Sequence, residues 1–117
     1  MKELFKDILR SDGVLGVVLS GPDGSILFQS LEGGGQRFDI QKLDFQKLTS
    51  LLVKLREADL VFQKGRIYVR KAEIGLIVIV LEPVASLAMV KLNCDILLPQ
   101  LKAEKAGKAR KGFFRKG

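Results

Sequence analysis

The run Ile74-Gly75-Leu76-Ile77-Val78-Ile79-Val80-Leu81 limits this chain more than any other stretch. It carries no charge and no polar side chain, and five of its eight residues are β-branched. A membrane helix needs about 20 apolar residues, so the run is too short to span a bilayer. Bounded by Glu73 and by Glu82-Pro83, it reads as a strand covered on both faces. Such a strand belongs in the middle of a sheet with helices above and below. The rest of the chain should cover or flank it.

At 117 residues the chain is long enough for one core, and 47% hydrophobic with 28% charged residues is a globular balance. Residues 1–7 mix acids with bases and lack an apolar stretch, unlike a secretion signal. Cys94 is alone, so no disulfide framework exists and a reducing cytoplasm is the expected compartment. The absence of His removes the usual general base and the commonest metal ligand. Neither a metal site nor a cofactor is expected. Asp39, Asp44 and Glu57 are the acids near an obvious surface, and no pair has a spacing that suggests shared chemistry. No catalytic residue is assigned, and the chain reads as a non-enzyme. The net charge of +7 is unevenly spread. From Lys102 to Gly117 seven bases face one acid, a net +6, and residues 1–101 carry only +1. The chain thus divides into a nearly neutral domain, 1–101, and a basic, flexible tail, 102–117.

Leu4, Phe5, Ile8 and Leu9 mark one face of a short helix, with Gly13 as its C-cap stop. Two β-like runs, 14–19 and 25–30, flank Ser20-Gly21-Pro22-Asp23-Gly24. Pro presets φ there and Gly supplies positive φ, so the segment is a hairpin. Glu32-Gly33-Gly34-Gly35-Gln36 lacks the Gly-Lys-Ser/Thr of a phosphate loop and reads as a connector. Asp39 then caps a helix expected over Ile40–Ala58, with Ile40, Leu48, Leu51, Leu55 and Ala58 on its buried face. Val53 stands on the otherwise polar face. Strands are expected at 60–64 and 66–70 around a turn at Gly65, the second alternating Arg66, Tyr68, Arg70 against Ile67, Val69. After the central run, Pro83 opens a last helix whose apolar side holds Val84, Leu87, Ala88, Cys94, Leu97, Leu98 and Leu101. Cys94 reads as a small buried hydrophobe. Gly107 and Gly112 argue against helix past Lys105. The order is α-β-β-α-β-β-β-α: an α+β fold with a five-stranded, mainly antiparallel sheet and helices on both faces.

The segment Gly13–Leu19, the turn Asp23-Gly24 with Ser25-Ile26-Leu27, the stretch Val61–Arg70, the apolar strand to Leu81 and Ala85-Ser86-Leu87-Ala88 stand in one order. Together they resemble the roadblock/dynein light chain family, which is related to longin and profilin-like folds. The likeness covers about residues 1–101; Ala88 stands where the family often has Gly, and the basic tail lies outside it. The resemblance implies a homodimer or heterodimer, with third strands paired edge to edge and second helices side by side. Leu60, Val61 and Phe62 would otherwise be an exposed apolar edge, and Thr49, Ser50 and Val53 are short enough for close helix approach. It further implies an adaptor or regulator, in particular a docking platform or GTPase-activating partner for a small Ras-like GTPase. The expected contact residues are Arg37, Lys42, Gln46 and Lys47. The alternative is a scaffold that binds no GTPase. In the tail, Phe113-Phe114 between Lys111 and Arg115 leaves four readings open: a solubilising segment, contact with an anionic membrane, contact with single-stranded nucleic acid, or another protein.

Overall fold

The computed structural model describes residues 2–31, 44–62 and 65–115, with side chains left out at 2, 45 and 103–115. A 3-10 turn, Lys2–Phe5, runs into α1, Lys6–Leu9. Then come β1 (Val14–Ser20), β2 (Ile26–Ser30), α2 (Phe45–Leu51), β3 (Glu57–Phe62), β4 (Gly65–Ala72), β5 (Gly75–Leu81) and α3 (Leu87–Arg115). The five strands form one sheet in the order β2-β1-β5-β4-β3, and every neighbouring pair is antiparallel. The apolar run is the middle strand, as its composition requires.

Alternation along β5 divides the core in two. Ile77, Ile79 and Leu81 face α1 and α3, where Phe5, Ile8, Val90, Cys94, Leu97 and Leu101 close over them. Leu76, Val78 and Val80 face the other way, under Leu48 and Leu52 of the α2 segment. Each such side chain removed from water contributes about 1.5–3 kcal/mol, so β5 anchors both layers. Gly75 starts the strand at φ +152°, and a Cβ there would stand 1.7 Å from the Ser20 carbonyl oxygen. Only glycine fits that approach. The β1–β2 hairpin turns where expected: Gly24 has φ +86° and the Asp23 carboxylate accepts from the Ser25 amide at 3.1 Å.

Several boundaries differ from the sequence expectation. The helix expected over 40–58 is α2, Phe45–Leu51, and Asp44 rather than Asp39 caps it, accepting from the Lys47 amide. Asp39 and Ile40 lie outside the described residues. Leu51 and Leu55, expected on the buried face, are exposed. Residues 57–59, expected to end that helix or follow it, instead begin β3, because Glu57, Ala58 and Asp59 pair with Arg70, Val69 and Tyr68. Gly65 opens β4 rather than forming the turn. α1 ends before Arg10, so Gly13 is not its cap. α3 starts at Leu87 instead of Pro83, which leaves Val84 exposed rather than on the helix's apolar side. α3 also continues past Lys105 to Arg115 through both glycines; the Ala, Lys and Arg around them are strong helix formers.

Candidate interface on the α2 and β3 edge

β3 ends the sheet: β4 is its neighbour on one side and no described strand pairs with the other. Its two faces differ in chemistry. On the face toward α3, Glu57 accepts from the Tyr68 hydroxyl at 2.5 Å and pairs with Lys91 at 2.8 Å. Arg70 donates to the Tyr68 oxygen at 3.0 Å and to Asp95 at 2.5 Å. The edge strand is thereby tied through β4 to α3. The hydrogen bond from Lys91, then that from Tyr68, holds the Glu57 carboxyl below its ordinary value. Arg66 binds both Asp59 oxygens, at 2.7 and 2.6 Å, which lowers that carboxyl too. Burial raises the Tyr68 hydroxyl, and it pushes the Cys94 thiol up to about 12, so Cys94 is the inert buried hydrophobe its setting suggested.

Toward α2 the edge is apolar. Leu60 packs with Ala58 on the core beneath α2, and Phe62, two residues on, stands 42% exposed. Leu51, Val53 and Leu55, at the end of α2 and along the connection to β3, are exposed at 58%, 66% and 56%. Val61, between Leu60 and Phe62, alternates to the other face of β3 with Glu57 and Asp59, and is 75% exposed. Five large apolar side chains are thus exposed between residues 51 and 62.

No protein-family model matches the sequence, and no curated protein matches it either. Solved structures do. The chain is similar to MglB with a tetrameric arrangement, at TM-score 0.61 and 20% identity over 86% of this chain and 83% of that one. A Roadblock/LC7 domain from Streptomyces avermitilis superposes at TM-score 0.62 and 11% identity, covering 91% and 94%. MglC from Myxococcus xanthus gives 0.57 and 14%, covering 89% and 94%. The chain has the Roadblock/LC7 fold.

Within this Roadblock/LC7 fold the expected site residues fall into three groups. Ser50, Val53, Leu60, Val61 and Phe62 all lie on α2, its C-terminal turn or β3, with Thr49 half-buried beside them. Leu60 is the exception to the expected exposure, because it faces the α2 core. Gln46 and Lys47 are exposed in the first turn of α2, whereas Arg37 and Lys42 lie outside the described residues. Lys111, Phe113, Phe114 and Arg115 sit in the C-terminal part of α3, with no side chains described. Leu51 and Leu55 lie on the surface although a helical period places them inside, and the Glu57–Tyr68–Arg70–Asp95 chain has no counterpart in sequence spacing. The alternation Ala58-Asp59-Leu60-Val61-Phe62 was the available signal for a strand. Among the described residues no group of side chains could hold a metal ion. A cleft of about 660 Å³ opens between α3 and the β4–β5 hairpin, but Arg70–Asp95 and Lys102–Glu73 pair charges on its walls.

Proposed function

We propose that this chain is a roadblock-family, non-catalytic adaptor that dimerises through β3 and α2 and offers the joined surface to a small Ras-like GTPase. The observation that carries the reading is the exposed apolar set of Val61 and Phe62 on the terminal strand β3 and Leu51, Val53 and Leu55 at the end of α2 and in the connection before that strand, in a Roadblock/LC7 fold. An exposed apolar edge is avoided in stable monomers, and pairing two copies across a two-fold axis covers it. The tetrameric arrangement of the MglB neighbour supports assembly between copies. Gln46 and Lys47, with Arg37 and Lys42 before them in sequence, supply the polar rim for the GTPase. The family resemblance contributes the GTPase itself.

The test is affinity capture from native cytoplasm with the tagged full chain, in GDP and in a non-hydrolysable GTP analogue. A small GTPase retained only with the analogue is the expected result, and loss of that retention in K47E places the contact on α2. Capture of one protein set in both nucleotide states, with no GTPase among them, replaces this reading with that of a scaffold.

A further inference from the structure

α3 is one helix from Leu87 to Arg115, and this continuity joins two features that the sequence presents separately. Val90, Cys94, Leu97 and Leu101 point into the core and are almost fully buried. At 100° per residue, Met89, Leu92 and Ile96 fall on roughly the opposite side of the helix, and they are 52%, 51% and 54% exposed. The helix cannot roll to hide them. One flank is fixed by Lys91 to Glu57 and by Asp95 to Arg70, and the other by Asn93, which donates to Ser11 Oγ at 2.8 Å. The outer stripe therefore has no cover from this chain among the described residues.

Beyond the stripe the same helix turns basic. From Lys102 to Arg115 the sequence holds six bases against Glu104 alone, beginning about 9 Å past Ile96 along the axis. We infer that the outer side of α3 docks on an anionic bilayer, with Met89, Leu92 and Ile96 entering the headgroup boundary and the 102–115 segment meeting lipid phosphates. Apolar insertion plus electrostatic attraction to anionic lipid is the recognised combination for a helix that lies on a membrane. No helix among the described residues is long and apolar enough to cross one. A protein partner needs no excess of positive charge next to its apolar contact, and a nucleic acid needs no aliphatic stripe. A bilayer uses both. This site faces away from the sheet, on the side opposite α2, so it stands independently of the GTPase reading.

The experiment is co-sedimentation of the full chain with vesicles of phosphatidylcholine alone and of phosphatidylcholine with phosphatidylglycerol, alongside a single-stranded oligothymidylate. Binding to the phosphatidylglycerol vesicles only is expected, weakened about fivefold for each base neutralised in R110Q/K111Q, the basic positions that the 100° spacing brings nearest the stripe. The double variant L92Q/I96Q should lose about tenfold or more on those vesicles. Both of its positions are half-exposed, and an unchanged circular dichroism melt shows that it is folded. Vesicle binding that L92Q/I96Q leaves intact overturns the proposal and makes the tail a general polyanion binder. Equal binding to neutral vesicles, or none to either, overturns it as well.

Discussion

Glu57 shows how one side chain can fix the start of a strand. Its carboxylate receives the Tyr68 hydroxyl and Lys91 and lies 3.5 Å from Arg70, so three positively polarised groups meet on it. All of them favour the charged form, and its folded pKa lies below the ordinary 4.5. The sign follows from linkage. Below pH 4.5 the unfolded carboxyl takes up a proton that the folded one still refuses. The stabilisation is therefore complete above that pH and declines as pH falls toward the folded value. Asp59, lowered by Arg66, adds a term of the same sign that begins below its ordinary 3.8. Urea unfolding between pH 7 and pH 3 should show stability falling in acid, and E57Q should reduce that fall while costing about 1 kcal/mol at neutral pH. An unaltered acid slope in E57Q would remove Glu57 from this role.

Among the elements, strands with a strong local signature were legible and those defined by their neighbours were not. β5 announces itself by composition, and the β1–β2 hairpin by Pro22-Asp23-Gly24. The segment after α2 was ambiguous because Leu48, Leu51, Leu55 and Ala58 satisfy a helical period while Ala58, Leu60 and Phe62 satisfy a period of two. Pairing with β4 decides between them: Glu57 meets Arg70 across the ladder and reaches Tyr68 and Lys91, contacts that sequence spacing alone does not reveal. The consequence for the site is direct. A shorter α2 leaves Leu51, Val53 and Leu55 on the surface beside β3, so the apolar patch is larger than the helix reading allowed. Replacing Val61 with Lys puts a charge at the middle of the proposed edge pairing without touching the core, since Val61 is 75% exposed. Sedimentation equilibrium should then give the monomer mass for V61K and the dimer mass for the parent, with matching circular dichroism spectra. A dimeric V61K would move the contact elsewhere.

On the scale of the whole molecule, the two proposed surfaces constrain each other. α2 and α3 cover opposite faces of one sheet, and β3 lies at its end. If two β3 strands pair antiparallel into a continuous sheet, the two-fold axis runs perpendicular to it. Both α2 helices then share one face and both α3 helices the other. A GTPase on the α2 side and a bilayer on the α3 side could be held at once, and the two α3 helices would meet a single membrane together. Linking two weak contacts in this way raises apparent affinity by about 10²–10⁴ without any new interaction. V61K should therefore lose about a hundredfold or more in apparent affinity for phosphatidylglycerol vesicles, although its substitution lies outside α3. L92Q/I96Q should show the converse pattern, with weak vesicle binding and an intact dimer mass. A V61K monomer that binds vesicles as tightly as the parent dimer would mean that the two α3 helices do not face the same surface, and the edge-to-edge arrangement would have to be replaced by one that turns them apart.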